Sequence, residues 1–302
     1  MKNVSLTPAT ALLLTVPPLL WAGNAVVGRL VRDAVSPMTL NLLRWSIALL
    51  ILLPLGRALF RPGSGWLAHW RRLSMLGLLS IGLYNSLQYL ALQSSTPINV
   101  TLVAAGMPVW MLLIGALFFD AGIGRRQLLG ALLSVAGVLL VLCRGDLQQL
   151  LALRLVAGDL YMILATIAFS FYSWMLSRTR EPQQIRANWS AFLLAQVAYG
   201  VLWSGLFTGA EWAAGAAHID WSWALLAALL YVALGPAVIA MACWGEGVRR
   251  AGPGTGAFFT NLTPLFAALM SSAFLGEWPH LYHMLAFAMI VGGIVASIPR
   301  GN

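Results

Sequence analysis

The sequence predicts an all-α polytopic membrane protein, in which ten transmembrane helices form two inverted five-helix repeats around a central cavity. Of its 302 residues, 60% are hydrophobic and only 9% are charged, whereas about a quarter of the residues in a soluble domain are charged. Ten apolar runs are long enough to cross a bilayer, which takes about 20 helical residues. Two prolines of the first half, Pro97 and Pro108, recur 156 residues later as Pro253 and Pro264.

The apolar runs are predicted to be helices because they are continuously apolar rather than alternating, and because isolated strands leave backbone groups unsatisfied in lipid. The first run follows Lys2 and resembles a signal peptide at its start, but it continues to Val27, so we expect a retained span. The runs cover residues 8–29, 37–57, 72–94, 97–119, 126–143, 155–177, 187–209, 221–245, 253–275 and 279–299.

The basic residues between the runs support this number of spans and indicate an orientation. With both termini on the cytoplasmic side, 13 of the 18 Lys and Arg residues lie in cytoplasmic segments and four lie in outer ones. Cytoplasmic loops are rich in Lys and Arg, and one span more or fewer would scramble the distribution. We therefore expect a multi-pass protein with cytoplasmic N and C termini.

The ten runs divide into a first repeat, residues 1–148, and a second repeat, residues 149–302, within one membrane domain. An odd number of spans inserts the second copy upside down, which is the plan of many secondary transporters. The match rests chiefly on the paired prolines and on the shared pattern of loops.

Prolines within the runs mark possible hinges. A proline inside a helix removes one backbone hydrogen bond and frees the carbonyl four residues earlier, which in lipid must face protein, water or ligand. Hinges or kinks are expected at Pro108, Pro236 and Pro264. A single proline could be a simple kink, but the matched pair Pro108 and Pro264 favours a cavity lined by the fourth and ninth helices.

Candidate substrate-binding residues near these prolines are amides and large side chains rather than acids and bases. Aromatic rings can stack on a ligand or hold a cation, and amides can bind its polar end. The alternative is that these rings only pack helix against helix. The candidates are Trp21, Asn24, Tyr84, Gln88, Met107, Trp110, Tyr172, Trp174, Trp244, Phe258 and Asn261.

Arg44 is the one charged residue well inside a predicted span. It could be structural, reaching the outer interface by snorkelling, or it could serve in gating. Asp159 is a candidate counter-ion. Because no Asp, Glu or His lies near mid-membrane, we expect neither a carboxylate proton carrier nor a Na⁺ cage.

The sequence holds no catalytic residues, metal ligands or cofactor motif of recognised spacing, so we predict no cofactor, no metal and no enzyme activity. Cys143 and Cys243 are too far apart in sequence to suggest a metal site. The net charge of +9 is explained by cytoplasmic arginines, so no nucleic-acid partner is expected.

Short motifs resemble the EamA-type family of the drug/metabolite transporter (DMT) superfamily. They are the stretch from Pro37 to Arg44-Trp45, the segments Met107-Pro108-Val109 and Thr263-Pro264-Leu265, and Phe274-Leu275-Gly276-Glu277 before a glycine-ended helix. The acidic residue usual after the fourth helix is Asp120 here instead of Glu.

The aromatic residues are most similar to those of YddG-type aromatic amino acid exporters of bacterial inner membranes. The resemblance implies a basket of helices 1, 3, 4, 6, 8 and 9, with helices 5 and 10 peripheral. It also implies efflux of aromatic amino acids and similar amphiphilic metabolites by alternating access. The partners expected are this substrate and the lipid bilayer; a monomer is compatible with the sequence. Export of cationic drugs or other metabolites, or a non-transporting scaffold, are the alternatives.

Overall fold

The computed structural model describes residues 6–95, 100, 103–143, 145–146, 148, 156–178, 180–275 and 281–297. These residues contain no β-strand; an isolated bridge joins Val35 and Ile219. Helix numbers below follow the predicted runs. The helices are α1 Pro8–Leu30, α2 Pro37–Leu55, α3 Trp70–Ser94, α4 Met107–Phe118, α5 Arg125–Leu142, α6 Ala157–Ser177, α7 Trp189–Ala213, α8 Trp223–Ala251, α9a Pro253–Thr260, α9b Leu262–Leu275 and α10 Leu281–Ser297.

Within the described residues, six helices are long and apolar enough to cross a membrane: α1, α2, α3, α6, α7 and α8. Helices α4 and α10 are apolar but shorter. The prediction of an all-helical protein with several membrane-spanning segments is therefore confirmed for this part of the chain. Pro97 lies outside the described residues.

Two of the long helices contain a π-helical segment. In α3 it covers Leu78–Tyr84, and in α8 it covers Ala233–Ile239 with Pro236 inside it. A π-helical turn widens the helix and leaves backbone groups less regularly paired, and such turns are frequent at functional sites. Both segments lie close to the aromatic residues described below.

The helices pack in a regular set of pairs. Helices α2 and α7 pack along each other, as do α5 and α10. Helix α1 packs on α8 and on α9b, while α6 packs on α3 and on α4. Helix α3 also contacts α7, and α2 also contacts the π-helical segment of α8. The centre of the structure is therefore bounded by α1, α3, α6 and α8.

A carboxylate of α7 stabilises the N-terminus of α2. The Oε1 atom of Glu211 accepts a hydrogen bond from the backbone N–H of Met38 at 3.0 Å. Its Oε2 atom accepts bonds from the Thr39 N–H at 3.0 Å and from the hydroxyls of Thr39 at 2.9 Å and Ser36 at 2.7 Å. The first N–H groups of a helix have no partner within the helix, and a negative charge there is favourable. Glu211 therefore ties α2 to α7.

Small residues allow α5 and α10 to approach closely. A Cβ atom built on Gly130 would lie 2.6 Å from the carbonyl oxygen of Gly293, and one built on Gly293 would lie 2.7 Å from that of Gly130. In membranes, close backbone approach of this kind replaces the hydrophobic driving force that lipid cannot supply between helices.

Replacing Gly130 with Ala is expected to reduce the free energy of unfolding by about 1–3 kcal/mol, the usual cost of overpacking. The added methyl group would press on the α10 backbone, which cannot move aside as a side chain can. Unfolding of the purified protein in detergent measures the effect.

Gly205→Ala is the matched control, because Gly205 is also inside a helix but a Cβ there meets nothing within 4 Å. This control should be neutral or more stable than the unmodified protein by up to about 1 kcal/mol. Equal stability of the two variants would contradict the close packing of α5 on α10.

Candidate functional site

Five aromatic side chains meet at the centre of the structure, and we call them the aromatic cluster: Trp21 of α1, Tyr84 of α3, Phe169 and Tyr172 of α6, and Trp244 of α8. Phe169 contacts all the others, with ring centroids 4.8 Å from Tyr84, 5.3 Å from Trp244, 5.4 Å from Tyr172 and 5.6 Å from Trp21. The rings of Trp21 and Trp244 are 5.5 Å apart.

The spacing of residues along α6 explains how its two rings reach the cluster. Phe169 and Tyr172 are three positions apart and therefore lie on the same face of the helix. Phe171 and Trp174 lie on another face, where Phe171 contacts Phe118 with centroids 5.0 Å apart. The two faces of α6 therefore contact different parts of the protein.

The two indoles of the cluster have hydrogen-bonding partners. The Nε1–H of Trp21 donates to the carbonyl oxygen of Pro236 at 3.2 Å, within the π-helical segment of α8. The Nε1–H of Trp244 donates to the hydroxyl of Ser173 at 3.2 Å. Because a buried indole N–H needs an acceptor, these bonds fix the ring planes and join α1 and α6 to α8.

Four polar side chains form a second group, the polar cluster: Asn24 of α1, Arg44 of α2, and Asn85 and Tyr89 of α3. The Nη1 atom of Arg44 donates to Asn24 Oδ1 at 3.1 Å, to Asn85 Oδ1 at 3.0 Å and to the Tyr89 hydroxyl at 2.8 Å. Tyr89 donates to Asn24 Oδ1 at 3.1 Å. All four side chains are buried.

The two clusters adjoin because they share α1 and α3. Trp21 precedes Asn24 by three residues in α1, and Tyr84 directly precedes Asn85 in α3. Tyr84, at the end of the π-helical segment, thus contacts Phe169 and directly precedes Asn85, which accepts a hydrogen bond from Arg44. The site as a whole combines an apolar aromatic part with a polar part that carries one positive charge.

A cleft leads from a charged rim towards the aromatic cluster. Its outer part has a volume of about 900 Å³ and is lined by Glu181, Arg186, Glu246 and Arg249, among others. A narrow part of about 50 Å³ shares Arg186, Glu246 and Arg249 and reaches Tyr172. The cleft therefore gives a path to the site between α6, α7 and α8.

In this conformation the aromatic cluster is closed. Trp244 is 0% exposed, Tyr172 1% and Phe169 2%, so the rings fill the space between the helices. A ligand of amino-acid size would have to separate these rings to bind among them.

Five of the residues predicted to bind substrate belong to the aromatic and polar clusters. Trp21, Tyr84, Tyr172 and Trp244 are in the aromatic cluster, and Asn24 is in the polar cluster. Met107 and Phe258 are buried in the same core. Gln88 and Trp110 are partly exposed. Trp174 stacks on Phe119 with centroids 5.5 Å apart and donates to the Met111 carbonyl at 2.7 Å, on the other side of α6.

Asn261 lies at the break between α9a and α9b. Its side chain is 0% exposed, and neither its amide nitrogen nor its amide oxygen has a hydrogen-bond partner in the described chain. Leaving a buried amide unpaired is costly. The residue therefore presents free donors and an acceptor at a point where the helix is interrupted.

Pro108 and Pro264 lie in the first turns of α4 and α9b, not inside continuous helices. A proline in the first turn loses no helical hydrogen bond, because its N–H would have no partner there. The interruptions precede the prolines, at Gly106 and at Asn261. Pro236 does lie inside a helix, within the π-helical segment of α8.

Sequence reasoning did not select Phe169, although its position three residues before Tyr172 is a usable signal. It also did not identify the hydrogen-bonding partners of Arg44. Among the described residues no carboxylate forms an ion pair with Arg44; Asp159, the expected counter-ion, accepts bonds from the Ser95 hydroxyl and from the Val156 N–H at 2.8 Å. The expectation of an Arg44–Asp159 pair was wrong because amides and a phenol from α1 and α3 take its place.

No group of three or more His, Cys, Asp or Glu side chains that could hold a metal occurs within the described ranges. The polar atoms of the site are instead the amide, phenol and guanidinium groups named above. Such groups bind organic polar groups by hydrogen bonds.

Comparisons with known proteins identify the family. The sequence pattern of the EamA-like transporter family matches the chain twice, at residues 8–143 and 156–298. An uncharacterized transporter of Archaeoglobus fulgidus is 26% identical over 294 residues, covering 96% of this chain and 98% of that protein. The uncharacterized transporter YyaM of Bacillus subtilis is 21% identical, covering 76% and 74% of the two chains. A protein crystal structure superposes with a TM-score of 0.69 at 19% identity, covering 95% of both chains. The chain belongs to the EamA-like transporter family.

Proposed function

We propose that this membrane transporter exports aromatic amino acids and similar small amphiphilic metabolites by alternating access, as the YddG-type exporters that it resembles do. The observation that carries the proposal is the aromatic cluster around Phe169, which adjoins the polar cluster. An aromatic amino acid has the same two parts: a flat ring and a polar end.

The chemistry of the site supports this substrate class. Contacts between the ring of a ligand and the rings of the cluster can replace the contacts that these rings make with one another. Offset and edge-to-face aromatic pairs are favourable at centroid distances of about 4.5–7 Å. The polar end would then meet Asn24 of the polar cluster and the unpaired amide of Asn261. Both amides can donate and accept, so either can bind an ammonium or a carboxylate group.

The packing of the helices supports the proposal of ten spans in two inverted repeats, residues 1–148 and 149–302. If α1–α5 are exchanged with α6–α10 in order, each observed helix contact should have an observed counterpart. The contact α1·α8 corresponds to α6·α3, and the contact α4·α6 corresponds to α9·α1. The pairs α2·α7 and α5·α10 are each turned into themselves. The π-helical segments start at Leu78 and Ala233, 155 residues apart. The double match to the family pattern, residues 8–143 and 156–298, divides the chain in the same place.

In the proposed mechanism the two repeats rock about the site between them. The helix breaks before Pro108 and Pro264, and the π-helical segment around Pro236, would serve as hinges. The cleft lined by Arg186 and Arg249 would be the cytoplasmic opening, since arginines gather on that side. Both termini would then lie on the cytoplasmic side, and the protein would span the inner membrane of a bacterial cell.

Export of cationic drugs is the second candidate, and the polar cluster disfavours it. A cation in a low-dielectric site needs a nearby negative charge, but the charged group of the polar cluster is Arg44. A non-transporting scaffold would use the two clusters only to pack helix against helix. Both alternatives are tested by flux measurements.

In proteoliposomes the protein is expected to move phenylalanine, tyrosine and tryptophan faster than aliphatic amino acids or quaternary ammonium compounds. Phe169→Leu should raise the apparent KM for the aromatic substrates roughly three- to tenfold, because one or more aromatic contacts are worth about 0.5–1.5 kcal/mol each. Flux of leucine should change little.

Phe171→Leu is the matched control, two residues along the same helix but in contact with Phe118 and Phe119 instead. Its kinetics should equal those of the unmodified protein. Preferred flux of cations, or equal effects of the two substitutions, would exclude this aromatic site; no flux of any compound would favour the scaffold.

Transport is expected not to require a proton gradient. No carboxylate or histidine belongs to the polar or the aromatic cluster, so the site itself has no group that titrates near neutral pH. Phenylalanine flux into vesicles should therefore follow the phenylalanine gradient and be unchanged by an imposed pH difference. Strict dependence on the pH difference would rule out this facilitated mechanism.

A further inference from the structure

Arg44 is a buried charge, and its side chain hydrogen-bonds unevenly to the described residues around it. The residue is 1% exposed. All its hydrogen bonds to the described residues come from Nη1, which reaches Asn24, Asn85 and Tyr89. A guanidinium group has five N–H donors, of which Nη1 carries two. Three acceptors therefore converge on the two hydrogens of Nη1.

The other edge of the guanidinium has no acceptor in the described part of the chain. Its Nε atom is buried without a hydrogen-bond partner, and Nη2 makes none of the bonds above. The N–H groups of Nε and Nη2 are parallel and form the fork that binds a carboxylate through both oxygens. The guanidinium also lies over the ring of Trp45, with its carbon 5.2 Å from the ring centroid, a contact that supplies no hydrogen-bond acceptor.

Two partly or fully buried carboxylates among the described residues are each paired with arginines. Glu181, whose side chain is 0% exposed, forms ion pairs with Arg72 and with Arg186. Glu246 is paired with two arginines in the same way. A buried charge without a counter-ion is strongly unfavourable, and an opposite charge that binds in good geometry offsets part of this cost. Arg44 therefore differs from these arginines in having a binding edge to offer.

The position of Arg44 next to the aromatic cluster indicates which kind of molecule would carry an anion bound to it. Its acceptor Asn85 directly follows Tyr84, whose ring contacts Phe169. Arg44 is thus joined through Asn85 to the part of α3 that carries Tyr84, so the polar end of a ligand bound among the rings would lie near this group. Because Arg44 is 1% exposed, a ligand can reach its Nε and Nη2 atoms only when the helices around them separate.

We propose that Arg44 recognises the carboxylate of the transported molecule through its Nε and Nη2 groups. The inference rests on the proposed function, because it assigns the polar half of the same site. It narrows the substrate class to molecules with a carboxylate, and it places the group that selects them on α2. A structural or gating role for Arg44 would not require the substrate to have a carboxylate.

The test uses two pairs of compounds that separate the carboxylate from the ring: phenylalanine with phenylalaninamide, and leucine with leucinamide. Apparent dissociation constants are measured on the purified full-length protein in detergent, from the shift of its unfolding temperature with ligand concentration. We expect each acid to bind at least about tenfold more tightly than its amide.

In Arg44→Gln this preference for the acid should fall to less than about threefold, because the glutamine cannot form the charged fork. Arg44→Lys keeps the charge and should retain part of the preference, so it serves if the glutamine variant does not fold. Arg32→Gln is the control; Arg32 is paired with the exposed carboxylate of Asp33 and should have no effect.

An acid preference that Arg44→Gln leaves intact, or the absence of any acid preference in the unmodified protein, would overturn the inference. A purely structural role for Arg44 predicts lower stability with an unchanged ratio of acid to amide binding. The comparison of phenylalanine with leucine tests the proposed function separately. Equal binding of both acids, with the acid preference lost in Arg44→Gln, would refute the aromatic substrate but support the role of Arg44.

Discussion

In hydrocarbon a buried polar group has no water to bind, and the centre of this protein is organised by that constraint. Arg44 brings a charge into the packed helices and draws together amides of α1 and α3 and the phenol of Tyr89. Each of these groups would be costly to bury alone. The polar cluster therefore fixes the spacing of α1, α2 and α3, and the aromatic cluster fills the space that remains towards α6 and α8.

Away from the centre, other contacts satisfy backbone groups and bring helices together without help from water. At one end of α2 the carboxylate of Glu211 satisfies two backbone N–H groups that the helix leaves unpaired. Between α5 and α10 the glycines Gly130 and Gly293 allow the backbones to touch. The pairs α2·α7 and α5·α10 each join a helix of residues 1–148 to a helix of residues 149–302. Helices α3 and α8, next to the site, are the ones with less regular π-helical segments.

The helices were predictable from sequence because apolar runs of this length allow few other structures in lipid. Most of their predicted limits lie within a few residues of those observed, but α4 begins at Met107 instead of residue 97 and α8 ends at Ala251 instead of residue 245. The ninth run was predicted to be continuous and is interrupted at Asn261. The members of the two clusters were predicted less completely, because an apolar helix surface shows no polar face from which its orientation can be inferred. Trp174 was chosen with Tyr172 although they face different sides of α6, and Phe169 was missed. Arg44 was noticed as a charge, but its partners come from helices about 20 and 40 residues away in sequence.

In the proposed function the aromatic and polar clusters together form one binding site for a molecule with a ring and a polar end. A structure of the protein in lipid nanodiscs with saturating phenylalanine tests it most directly. We expect density for the ring between Phe169 and Trp244, which must then move apart, with the polar end of the ligand at Asn24 and Arg44. Density at the cleft rim near Glu246 and Arg249, with the aromatic cluster still closed, would show that the two clusters do not bind the substrate.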